Sequence, residues 1–183
     1  MKTFITSLFF SSILLISCKD GNNEENNNEL SNTEEVEVEK PTFLVDLDLI
    51  IKKDDTLQLF YAEYGEEVFN GAKNVSTFVK GDEMSQKVMF KLPADVSPTK
   101  LRIDFGNNVE QDIIEIKNFK ITYLDKVIEA KDTMFFQYFI PNEQIKWDRK
   151  NATLEIIEKN KEKYDPQFGS REVLEAELEK MLN

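Results

Sequence analysis

The chain has 183 residues, with 35 Asp and Glu against 23 Lys and Arg, for a net charge of −12. Such an acidic chain lacks the basic stripe that neutralises phosphates, so nucleic acid is excluded as a partner. Histidine is absent and Cys18 is the single cysteine, which removes the commonest general base, the usual partner of serine and cysteine nucleophiles, and the thiolate and imidazole set that zinc prefers.

Lys2 precedes an apolar run over residues 4–16. The run is shorter than the about 20 residues a bilayer-spanning helix needs, so it reads as a signal segment rather than a membrane anchor. It closes on Leu15-Ile16-Ser17-Cys18, which resembles the processing site of bacterial lipoproteins. The resemblance implies removal of residues 1–17 and acylation of Cys18 as the new N-terminus. At about 0.8 kcal/mol per buried methylene, two or three acyl chains hold a protein to a membrane. An ordinary secretory signal followed by a chance cysteine is the alternative. Acylation would consume the one thiol and leave none for a disulfide, a metal or a nucleophile.

Residues 18–40 are rich in Asn and Glu and almost free of apolar side chains. Such a stretch buries too little surface to offset its ordering entropy, so an acidic, disordered tether is expected, reaching on the order of 25 Å from the lipid. Lys19-Asp20, directly after the cysteine, is similar to the export signal of surface lipoproteins in Bacteroidota. That likeness implies lipid anchoring at the bacterial outer membrane, with the cell surface favoured over the periplasmic face.

From Pro41 the pattern has period two. Phe43, Val45, Leu47, Leu49 and Ile51 alternate with polar residues that include Asp46 and Asp48, the signature of a half-buried strand. The same reading predicts strands around 57–61, 88–92, 101–105, 114–116, 119–124, 127–130, 134–139 and 154–157. Turn-forming residues at 53–55, 81–82, 93–98, 106–108 and 125–126 separate them. Eight or nine short antiparallel strands describe an all-β sandwich over residues 41–157, long enough for one core. Residues 158–169 read as a charged connector and 170–182 as an amphipathic helix. Ser170 is its expected N-cap, and Val173, Leu174, Leu178, Met181 and Leu182 share its apolar face. This C-terminal helix is expected to pack on the sandwich, a partner helix being the alternative.

Three stretches, Asp55-x-x-Gln58-x-Phe60-Tyr61, Gln86-x-x-x-Phe90-x-Leu92-Pro93 and Leu101-Arg102-Ile103-Asp104-Phe105-Gly106 followed by Ile114-x-Ile116, resemble jelly-roll modules of the carbohydrate-binding and galactose-binding-like kind. The resemblance implies a jelly-roll-like sandwich and a glycan as ligand. None of the three is a catalytic signature.

From the residues themselves, Arg102 and Asp104 share the polar face of their strand, where a guanidinium and a carboxylate can hydrogen-bond sugar hydroxyls or form a structural ion pair. Aromatic rings stack on sugars, and Tyr61, Tyr64, Tyr138 and Trp147 are the candidate exposed rings, with Trp147 also suited to the core. Asp46 with Asp48, Asp54 with Asp55, and Asp104 with Asn107 and Asn108 offer oxygen ligands. Calcium is therefore the one candidate cofactor, although no segment matches an EF-hand loop and turn formation explains the same residues. No catalytic residue stands out. The sequence thus points to a membrane-anchored, noncatalytic protein that binds a glycan or another envelope ligand. A structural subunit of an envelope protein complex and a small carboxylate-dependent glycoside hydrolase remain open beside it.

Overall fold

The computed structural model describes residues 40–111 and 113–183. The expected signal segment, Cys18 and nearly all of the expected tether lie outside the described residues. In chain order the elements are β1 (Leu44–Ile50), β2 (Asp55–Glu63), β3 (Asn74–Val79), β4 (Gln86–Lys91), β5 (Pro98–Asp104), β6 (Ile113–Tyr123), β7 (Lys126–Lys131), a 3-10 turn (Asp132–Met134), α1 (Phe135–Tyr138), β8 (Phe139–Pro141), β9 (Ile145–Asp148), β10 (Thr153–Ile156), β11 (Gln167–Ser170) and α2 (Glu172–Leu182). The expected all-β sandwich with a C-terminal helix is what the chain forms. One sheet runs β4-β1-β6-β10-β9, with β7 also on β6, and the other runs β3-β2-β5-β11-β8. Every pairing is antiparallel.

Alternation explains which face of each sheet is buried. Val45, Leu47 and Leu49 of β1 meet Leu57, Leu59 and Tyr61 of β2 and Leu101 and Ile103 of β5 in one core. Where Thr77 of β3 donates its hydroxyl to the Met89 carbonyl of β4 at 3.0 Å, the edges of the two sheets are joined. A sheet edge satisfied in this way offers fewer free backbone groups to another chain.

The expected strands at 114–116 and 119–124 are one strand, β6. Asp48 pairs with Asn118 but Leu49 with Ile116, so Lys117 is an extra residue in the ladder. This bulge moves the inward phase from Ile114 and Ile116 to Phe119 and Ile121, which is why the alternation looks broken in the sequence. The turn after β6 is Leu124-Asp125, one residue earlier than expected.

The strand expected at 134–139 is a correction of a different kind. Phe135, Phe136 and Phe139 are all buried, and only a helical turn brings i, i+1 and i+4 to the same side. Asp132 at φ 47° starts that turn. The Phe135 ring then stacks on Phe139 at 4.8 Å and lies 5.4 Å from Phe168, while Phe119 meets Phe139 edge-on at 5.0 Å. The helical turn thus delivers the aromatic centre of the core.

Three strands, β3, β9 and β11, were not among those expected. β11 falls inside the supposed connector, so the sandwich extends past residue 157 and includes residues 167–170. α2 begins at Glu172 rather than at Ser170, because the Ser170 hydroxyl ends β11: it accepts from the Leu101 N–H at 3.2 Å and donates to Glu175 at 2.9 Å. Arg171 is the N-cap and provides no side-chain cap. Leu174, Leu178 and Met181 are buried, but Val173 is 55% exposed and lies off the packed face. The apolar stripe is therefore spent on the sandwich and not presented to a partner helix. At the other end, the Lys126 ammonium donates to the carbonyls of Lys180 (3.0 Å) and Met181 (3.2 Å), where a cation satisfies the last carbonyls and suits the helix dipole.

Candidate functional site

The outward face of the β3-β2-β5-β11-β8 sheet carries two ordered rows of residues, one of them polar throughout. Register places Ser76, Gln58, Asp104 and Gln167 side by side across four strands, and Asn74, Phe60, Arg102, Gly169 and Ile140 across five. Arg102 donates to Asp104 through Nε and Nη2, both at 2.8 Å. Its guanidinium carbon sits 4.2 Å above the Phe60 ring and 5.4 Å from the Phe69 ring. An arginine held by a two-bond fork and by flat rings is preorganised, so little entropy is lost when its remaining donors find an acceptor.

The neighbours are equally fixed. Gln58 donates its amide to Ser76 Oγ at 3.1 Å and to Asn74 Oδ1 at 3.3 Å, and Gln167 donates to Asp165 at 2.8 Å. Burial lifts the Asp104 carboxyl above its ordinary value; the Arg102 fork and its charge pull it down, and Asp165 adds a further upward push. Both Asp104 oxygens accept from Arg102, which makes the pair a rigid plate of donors and acceptors.

The sequence candidates do not converge on this plate. Arg102 and Asp104 lie at its centre, as the alternation of β5 required. Tyr61, expected as an exposed ring, is 7% exposed because β2 turns it into the core with Leu57 and Leu59. Tyr138 is half-buried against the core from α1, and Trp147 is half-buried on β9 of the opposite sheet. The Trp147 ring packs 4.9 Å from Phe136 and carries the Arg149 guanidinium at 4.4 Å. Tyr64 is 92% exposed in the loop after β2. Sequence reasoning missed Gln58, Asn74, Ser76, Gln167 and the packing rings Phe60 and Phe69. The outward phase of β2, Gln58 then Phe60, was the available signal.

The candidate oxygen ligands have structural work. Asp55 is buried, and its carboxylate accepts from the backbone N–H groups of Thr56 (2.9 Å), Asn107 (2.8 Å) and Asn108 (3.3 Å) and from the Gln111 amide (3.4 Å). Tyr164 donates its hydroxyl to the Asn108 carbonyl at 2.9 Å, its own ionisation pushed up mainly by burial. Asp54 accepts the Gly81 N–H at 2.8 Å, and Asp46 faces Lys87 at 3.7 Å. Among the described residues no group of three or more Asp, Glu, His or Cys is arranged to hold a metal ion.

An acidic hollow of about 260 Å³ lies between the loop after β2 and α2, lined by Glu63, Glu66, Glu67, Lys100, Glu175 and Glu179 among others. Lys73 bridges Glu63 at 2.9 Å and Glu66 at 2.6 Å. Hydrogen bonds from Lys73 and from backbone N–H groups hold both carboxyls below their ordinary value. A pair of carboxylates that both stay ionised clamps a loop and does not supply the protonated acid of glycoside hydrolysis.

No family model, no curated protein and no solved structure matches the chain.

Proposed function

We propose that this protein is a noncatalytic envelope lipoprotein, held by lipid on Cys18 at the outer membrane with the cell surface favoured, that binds a glycan on the outward face of its five-stranded sheet. The observation that carries the reading is the Arg102–Asp104 fork, set on Phe60 and flanked by Gln58, Asn74, Ser76 and Gln167. Planar, prealigned amide, guanidinium and carboxylate groups match the paired hydroxyls of sugars, which both donate and accept. A flat sheet face suits a chain of sugar rings better than a compact metabolite.

The test combines the two halves of the proposal. Protein purified from membranes in detergent is titrated calorimetrically with oligosaccharides, and Arg102→Ala is expected to weaken binding at least tenfold. In parallel, Cys18→Ser is expected to move the protein from the membrane fraction to the soluble fraction. Recovery of a stoichiometric protein partner without glycan binding would favour a subunit of an envelope complex. Release of reducing sugar by the purified protein would favour the hydrolase.

A further inference from the structure

We infer that this face takes a neutral sugar ring seated over Gly169, in the furrow between Arg102 and Ile140. The inference rests on the glycan reading above and narrows it to a place and a chemical class. Gly169 lies inside the sheet, opposite Arg102 of β5 on one side and Ile140 of β8 on the other. Its φ is not in the region that only glycine favours, and a Cβ built on it would meet nothing within 4 Å. Neither backbone conformation nor packing calls for glycine there. A glycine inside a strand is less stable there than alanine, and one that neither a bulge nor a tight bend requires fits a place where a ligand comes close to the backbone.

The surroundings define what that is. The bare backbone of Gly169 forms a floor. Arg102, fixed by Phe60 and Asp104, is one wall, and Ile140, 47% exposed, is the other. Gln167, two residues along β11, closes one end in the same register row as Asp104. The Ile140 wall is shared with a hollow of about 440 Å³ lined also by Arg171, Glu172, Val173 and Glu175, a size within the range of small-ligand sites. Arg171 is steadied there by its Nε donating to the Phe139 carbonyl at 3.1 Å. An apolar wall with donors around it fits a ring that has a C–H face and hydroxyls at its rim. An extended peptide is disfavoured, since β11 is already paired on both sides and has no backbone ladder to offer.

Charge sets the class. The Arg102 cation is matched by Asp104, Asp165 adds a carboxylate beside it, and Arg171 shares its hollow with Glu172 and Glu175. An acidic sugar would bring one more carboxylate among these and meet their like charge.

The experiment is calorimetric titration of the full-length protein with neutral hexasaccharides of glucose, mannose, galactose and xylose, and with oligogalacturonate as the acidic probe. Neutral binding is expected to exceed acidic binding at least tenfold. Gly169→Leu, which fills the furrow, is expected to lose at least tenfold with its urea midpoint retained. Should that variant not fold, Ile140→Ala at the exposed wall is expected to lose three- to tenfold. If Arg102→Ala abolishes neutral binding while Gly169→Leu, or Ile140→Ala in its place, leaves affinity unchanged, the glycan reading stands and the furrow is wrong. Preference for oligogalacturonate overturns the neutral class. Absence of binding to every sugar overturns the glycan reading and this inference with it.

Discussion

Replacing Gly106 by alanine is the sharpest test of how the loop after β5 is built. Gly106 has φ +78°, and a Cβ there would overlap the carboxylate of Asp55. Two costs follow. Holding alanine in the left-handed region costs about 1–2 kcal/mol. Moving Asp55 then breaks its bonds to the N–H groups of Asn107 and Asn108, and with an ionised acceptor each is worth about 1.5–3 kcal/mol. The carboxylate has nowhere to retreat, being buried and tied to Gln111 as well. The expected loss is about 4–8 kcal/mol, a large part of the roughly 5–15 kcal/mol that holds a domain folded. Gly65 is the control, because it has φ +84° but open space around it. Gly65→Ala should therefore lose only the backbone part, about 1–2 kcal/mol. Urea unfolding followed by the fluorescence of Trp147, the single tryptophan, measures both, with the midpoint shifting and the slope unchanged. Equal losses in the two variants would refute the argument that close approach to Asp55 fixes this glycine.

Other expectations follow from the same structure. Phe168→Ala, at the meeting of the Phe105, Phe135 and Phe136 rings, should lose about 3–5 kcal/mol in the same assay, whereas Phe78→Ser, at 65% exposure, should stay within about 0.5 kcal/mol. Glu63 and Glu66 are held below their ordinary value of 4.5, so their stabilisation is in place above that pH and lost as pH falls through the folded values. Lys73→Met should flatten this acid limb in unfolding titrations. Lys73 itself is raised from 10.5 to about 12, so its contribution is complete below 10.5 and disappears as pH climbs through about 12. Asp104 works in the opposite sense to the two glutamates: its raised value means that ionising it costs stability as pH rises past 3.8, a slope that Asp104→Asn should remove. Lys126→Ala should cost about 0.5–1 kcal/mol by freeing the last carbonyls of α2, read as faster amide exchange near residues 180–183.

The sandwich was legible wherever a strand had one wet face. Val45, Leu47 and Leu49 alternate with Asp46 and Asp48, and that pattern alone places β1. It was illegible where tertiary packing overrode local period. Phe135, Phe136 and Phe139 read as an apolar run, and their helical turn is set by the space between the two sheets. Lys117 carries no mark of a bulge, because the extra residue is defined only by its partners in β1. β11 was hidden because Gln167, Phe168, Gly169 and Ser170 hold a single large apolar residue among them. At the candidate site, Arg102 and Asp104 were readable from the phase of β5. Their neighbours were not, since Gln58, Ser76 and Gln167 come together only through strand order. Tyr61 shows the converse limit: a tyrosine's hydroxyl suggests exposure, yet the phase it shares with Leu57 and Leu59 decides its direction.

The way early and late strands interleave has a kinetic consequence. β5 waits for β11, and the bond from the Leu101 N–H to Ser170 spans 69 residues. β8 has β11 as its sheet partner. Contacts so distant along the chain make for slow folders, in the range of about milliseconds to seconds. A nascent chain released before residues 167–170 would show the unpaired side of β5 and a stranded β8, a species prone to stick to its own kind.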